Sequence, residues 1–122
     1  MIKRLLKKIP IIKRIYPSTI KKIYNYFKIK KINYEYFGLK LKGNINEPMD
    51  KEIFLFHEYE NHQIDYLLNL MKISKFDYFI DVGANSGLYS MIVAKNDRNI
   101  QIKSFEPVKK TIMKFRENIK LN

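Results

Sequence analysis

Two carboxylates and a glycine loop carry the chemistry in this sequence. Asp81 closes the apolar stretch Tyr78-Phe79-Ile80 and is followed by Val82-Gly83-Ala84-Asn85-Ser86-Gly87. Glu106 lies 19 residues beyond Gly87, in the stretch Ser104-Phe105-Glu106-Pro107. A loop between a strand and a helix is where ligands of open α/β sheets bind, beyond the carboxyl ends of the strands. Gly83 allows the backbone to turn tightly, and Gly87 allows the new helix to approach the strand or a ligand closely.

The residue types narrow the ligand. A phosphate-cradling loop needs Gly-Lys-Ser/Thr after four intervening residues, and the dinucleotide fingerprint needs three glycines; neither pattern is present, since the two glycines here lie four apart. Asp81 adds a charge argument. Two unit charges about 4 Å apart interact by about 1 kcal/mol in water and about 4 kcal/mol at a partly shielded site. That interaction repels a phosphate and attracts an ammonium. An acid about 20 residues past the glycine loop accepts hydrogen bonds from ribose hydroxyls, which is the place of Glu106. S-adenosyl-L-methionine has a ribose, an ammonium and a sulfonium, and so matches both acids; NAD matches only the ribose acceptor. The competing reading is structural: Asp81 caps a helix or bonds the loop, and the glycines serve turn geometry alone.

These residues require strands and helices to hold them. Ile64, Leu67, Leu68 and Met71 share one helical face after Asn61, a candidate N-cap. The short, largely apolar segment Phe76 to Gly83 reads as a buried strand. Leu88, Tyr89, Ile92 and Val93 predict a helix, Ile100 to Glu106 a second strand closed by Pro107, and Val108, Ile112, Phe115 and Ile119 a last helix. Helix and strand alternate, which predicts an α/β fold with a parallel sheet and crossover helices. Upstream, Ile2, Leu5, Leu6, Ile9 and Ile12 have helical spacing, interrupted at Pro10 and Pro17. Ile20, Ile23, Tyr24 and Phe27 mark a second helix. Leu39 and Leu41 alternate with Lys40 and Lys42 as a strand ending in a Gly43-Asn44 turn. Residues 44–52 read as loop, and 53–56 as an apolar run of undecided type.

The stretch Ile80-Asp81-Val82-Gly83-Ala84-Asn85, with Gly87 and Tyr89, Phe105-Glu106-Pro107, and Asn118 with Asn122, resembles the FkbM family of S-adenosyl-L-methionine-dependent methyltransferases. Tyr59-Glu60 adds a weaker similarity. The resemblance covers roughly residues 58–122. It implies a Rossmann-like class I methyltransferase fold and O-methylation of a sugar or other small-molecule hydroxyl, with a small-molecule or glycan acceptor. It further implies that Asp81, Gly83, Ala84, Asn85, Gly87 and Glu106 line the cofactor site. Only the first strands and helices of that fold are covered, and no catalytic base or metal ligand is identified. His57 and His62 precede the first strand of the sheet and read as surface or loop residues. The expectation is a truncated cofactor-binding half, catalytically silent by itself. The alternative function is a non-catalytic basic module on a remnant nucleotide-binding fold.

Charge divides the chain. The net charge is +12, and residues 1–42 hold 13 Lys or Arg against the single acid Glu35; the remainder is neutral. We therefore read residues 1–43 as a basic amphipathic extension and 44–122 as the partial methyltransferase domain. The simplest account of the extension packs its apolar side on the domain and solvates its lysines. Next comes contact with an anionic membrane, where each basic residue contributes about 1 kcal/mol. Base stacking on the interleaved aromatics of a nucleic-acid site comes last. The chain has no cysteine, which fits a reducing cytoplasm. No apolar run reaches the length of a membrane span, and no signal peptide is recognised. The expected location is cytoplasmic, with peripheral attachment at the inner face of the membrane.

Overall fold

The computed structural model describes residues 10–122. The helical spacing of Ile2, Leu5, Leu6 and Ile9 lies outside the described residues. Helix α1 runs from Pro10 to Tyr26, strand β1 from Lys31 to Tyr36 and strand β2 from Leu39 to Asn44. Helix α2 follows at Pro48–Phe56 and α3 at Asn61–Ile73. Then come β3 at Tyr78–Val82, α4 at Leu88–Asn96, β4 at Gln101–Phe105 and α5 at Lys109–Ile119. The architecture is mixed α/β.

The chain divides into two compact units. One comprises residues up to Tyr36 together with Lys40–Tyr59, the other Phe37–Leu39 and Glu60–Asn122. The change of charge after residue 43 falls inside the first.

Three local readings of the first unit are corrected. Helix α1 continues through Pro17 rather than stopping there. Proline removes one backbone donor from a helix, and here the Ser18 and Thr19 hydroxyls donate to the Ile15 carbonyl at 2.7 and 3.0 Å, so side chains bond the backbone beside the proline. Strand β2 continues through Gly43 to Asn44, so the turn expected there starts at Asn44, whose carbonyl accepts from the Glu47 N–H at 2.9 Å and whose Oδ1 accepts from the Asn46 N–H at 3.0 Å. A separate turn at Phe37-Gly38, with φ values of 47° and 71°, makes the two-residue hairpin connection from β1 to β2. Gly43 is a glycine for another reason: a Cβ there would lie 2.6 Å from Asp50 Cγ and 2.7 Å from Tyr34 Cε1. The third correction is α2, which occupies most of the stretch read as loop. Pro48 starts it, as the fixed φ of proline favours at a first helical position, and His57 ends it in the left-handed conformation.

Asp50 organises this unit. It is fully buried. Its Oδ1 accepts from the Tyr34 hydroxyl at 2.7 Å, and its Oδ2 accepts from the Asn44 N–H at 2.7 Å. Burial first, then the adjacent carboxylate, pushes the Tyr34 hydroxyl well above its ordinary pKa. Apolar packing completes the core with Ile32, Tyr36, Leu41, Ile45 and Ile53, all buried.

In the second unit β3 and β4 pair in parallel, Asp81 opposite Ser104 and Val82 opposite Phe105, with α4 as the connection. Helix α4 buries Leu88, Ile92 and Val93 as expected. Tyr89 is only half-buried, its hydroxyl donating to Glu60 Oε2 at 2.8 Å. Asn61 is the first helical residue of α3, and the cap is Glu60, with no side-chain capping bond. The expectation of a buried β3 is corrected. Its residues alternate between half-buried and exposed, with Ile80 61% and Val82 81% exposed. Tyr78 and Phe105 are exposed as well, and the Lys103 ammonium lies 5.8 Å from the Tyr78 ring centroid. Among the described residues, helices cover one face of this parallel pair and the other is open, whereas parallel sheets ordinarily have both faces covered.

Candidate functional site

The parallel register sets the first group of contacts. Asp81 and Ser104 stand side by side on β3 and β4. Ser90, in the first turn of α4, is 4% exposed and lies over both. Its Oγ donates to Asp81 Oδ2 at 2.6 Å and is 2.7 Å from Ser104 Oγ. A hydroxyl has one proton to give. Ser90 gives its proton to the carboxylate, so Ser104 is the donor to Ser90. The result is a directed chain, Ser104 to Ser90 to Asp81, that fixes one carboxylate oxygen and leaves Oδ1 to other partners.

The loop after β3 is held by β4. The N–H groups of Gly83 and Ala84 both donate to the Phe105 carbonyl, at 2.8 and 3.0 Å. The Gly87 N–H closes the turn on the Ala84 carbonyl at 2.8 Å. Asn85 sits at φ 50°, a left-handed conformation that asparagine tolerates better than most residues. Its N–H donates to Glu106 Oε2 at 2.9 Å, while Glu106 Oε1 accepts from the Val108 N–H at 2.9 Å. Glu106 thus ties the glycine loop to the start of α5. Each carboxylate oxygen has two lone pairs, so both retain room for a further donor.

The two glycines differ. Both have φ 80°, where a side chain is strained. A Cβ at Gly87 would lie 1.9 Å from the Phe115 ring, so the group that approaches closely there is α5. A Cβ at Gly83 would meet nothing within 4 Å. The space beside Gly83 is open, and Asn85 is exposed with it.

The structure therefore brings Gly83, Asn85 and Glu106 together at the carboxyl ends of the strands. Ala84 is there too, but 6% exposed, and it offers a ligand little surface. Asp81 lies on the α4-covered face, and Gly87 is under Phe115. Ser90, Ser104 and Phe115 complete the arrangement and carry no motif of their own. Aligning the strand ends Val82 and Phe105 is the one signal that would have put Ser104 beside Asp81. Glu60, of the Tyr59-Glu60 pair, meets the loop-proximal helix through Tyr89.

A cavity of about 680 Å³ opens beside the Asp81 group, lined by Ser90, Met91, Ala94, Ile102, Ser104 and Phe115 among others. None of the six expected cofactor residues lines it; it is the gap between α4 and α5 over β4, separate from the loop. His57 ends α2 and packs edge-on against Tyr36 at 5.5 Å, and His62 is exposed. Among the described residues no three His, Asp or Glu side chains converge as metal ligands, and no helix is long and apolar enough to cross a membrane. No protein-family model, curated protein or solved structure matches the chain.

Proposed function

We propose that the loop from Asp81 to Gly87, with Glu106, binds S-adenosyl-L-methionine, and that the chain carries the cofactor-binding part of a Rossmann-like O-methyltransferase of the FkbM type. The acceptor would be a sugar or other small-molecule hydroxyl. The observation that carries the reading is the joining of Glu106 to the Asn85 N–H at the open side of Gly83. It puts a carboxylate with spare lone pairs at the mouth of a strand-end loop beside accessible backbone.

The residues fit the cofactor by chemistry. Glu106 would accept from the ribose hydroxyls, and the Asp81 carboxylate would supply the negative charge that attracts the ammonium group. When bound, the cofactor supplies a methyl group from its sulfonium. The part of this chain is to hold the donor in line, which accounts for much of the rate in reactions of this class. No side chain here is assigned as a base.

Titration of the chain with S-adenosylhomocysteine tests the reading. Glu106→Ala should weaken binding at least about tenfold, since hydrogen bonds to charged groups contribute about 1.5–3 kcal/mol. Preference for NAD, or binding indifferent to Glu106→Ala, would refute it.

A further inference from the structure

Helix α1 has two apolar stripes. Ile12, Tyr16, Ile20 and Tyr24 recur every fourth residue and are half-buried. Tyr16 packs on Phe56 and Tyr24 on Phe54, each with ring centroids 6.0 Å apart. This stripe therefore faces α2, inside the same unit. The other stripe has no such role: Ile11 is 69% exposed, Ile15 56% and Tyr26 82%. At 3.6 residues per turn, residues 11, 15, 22 and 26 lie along one side of the helix. Lys22 sits within that row. Phe27 and Ile29, just past the helix, are exposed too, and Phe27 meets the Tyr26 ring edge-on at 5.2 Å.

Along the chain around this stripe the charge has one sign. Arg14, Lys22, Lys28, Lys30 and Lys31 are all exposed, and Glu35 is the only acid before residue 43. Packing alone does not require a second apolar stripe, because the first already fastens α1 to α2. A stripe left in water beside exposed cations matches an interfacial helix. Such helices lay aliphatic side chains into the lipid headgroup boundary and keep lysines at the phosphates. Tyr26 and Phe27 suit the same boundary as amphipathic and apolar anchors. Nucleic acid would engage the cations and aromatics but gives isoleucines no counterpart.

We infer that the outer stripe of α1, Ile11, Ile15 and Tyr26 with Phe27, docks on a membrane surface rich in anionic lipid, held there by Arg14, Lys22 and Lys28. This inference is independent of the methyl-donor reading.

The test is flotation of the full chain with vesicles of phosphatidylcholine alone and with added phosphatidylglycerol, at low and high salt. Binding is expected only with phosphatidylglycerol, and it should fall with salt. The double variant Ile11→Gln and Ile15→Gln keeps every charge and should weaken binding about tenfold with an unchanged melting temperature. The double variant Lys22→Gln and Lys28→Gln should also weaken it about tenfold. The inference is overturned if wild type ignores the anionic lipid or binds both vesicles alike. It is equally overturned if the isoleucine variant binds as wild type does. A lower melting temperature in that variant, or loss of a dimer, would assign the stripe to packing within or between chains. Retention on single-stranded RNA without vesicle binding would assign the cations to nucleic acid.

Discussion

The two units each place carboxylates against backbone N–H groups, and they do it in opposite surroundings. Asp50 is sealed in a core, with Tyr34 and Asn44 as donors. Glu106 does comparable work for Asn85 and Val108 at an open strand end. A buried acceptor cannot exchange its partners for water, so removing it leaves orphaned donors at full desolvation cost. A half-exposed acceptor can exchange partners with water or with a ligand. The same bond is therefore structural in one unit and available for binding in the other. Hydrogen-bond geometry alone does not separate the two cases; burial does.

The sharpest way to break this contrast is Asp50→Ala. It should cost about 3 kcal/mol, because a buried carboxylate is removed and two half-buried partners lose their acceptor, read as a shift of the denaturant midpoint. A comparable loss in Glu106→Ala would erase the distinction. The Asp50 pair also has a pH signature. Tyr34 holds its proton more tightly folded than unfolded. The stability this contributes is complete below the unfolded pKa of about 10 and is lost as pH rises above it. Tyr34→Phe should make the alkaline decline of stability shallower than in wild type, measured by denaturation at stepped pH.

The glycines sharpen the comparison within the second unit. Gly87→Ala adds a methyl group into the Phe115 ring as well as left-handed strain, and should cost about 3 kcal/mol. Gly83→Ala carries the strain alone, about 1 kcal/mol, and should lower S-adenosylhomocysteine affinity by more than it lowers stability. Equal stability losses would show that α5 does not depend on Gly87.

The smallest expected effect is at Ser90. Ser90→Ala should cost about 1 kcal/mol of stability. It should weaken S-adenosylhomocysteine, which carries an ammonium, while sparing 5′-methylthioadenosine, which does not. Equal weakening of both would reduce Ser90 to a packing residue.

The helix-strand alternation of residues 61–119 was legible because periods of 3.6 and 2 leave different marks in the apolar pattern. Strand β1 was not. Ile32, Tyr34 and Tyr36 do alternate, but they lie in a run of lysines and tyrosines that also fits a helix end. Helix α2 was hidden by Pro48, which punctuates loops and starts helices with equal ease. The exposure of Ile80 and Val82 could not be read, because an apolar strand looks the same whether or not a second layer covers it. At the loop, the residue types and order were legible. The partners were not: Ser90 over Asp81 depends on the rotation of α4, and Phe115 over Gly87 on the path of α5.

The open face of the β3–β4 pair has a calorimetric consequence. Tyr78, Ile80, Val82 and Phe105 already meet water in the folded chain, so unfolding exposes little new apolar surface there. The heat-capacity increment and the denaturant slope both scale with newly exposed surface. The second unit should therefore melt over a broad range, with a flatter stability curve than its length alone would give.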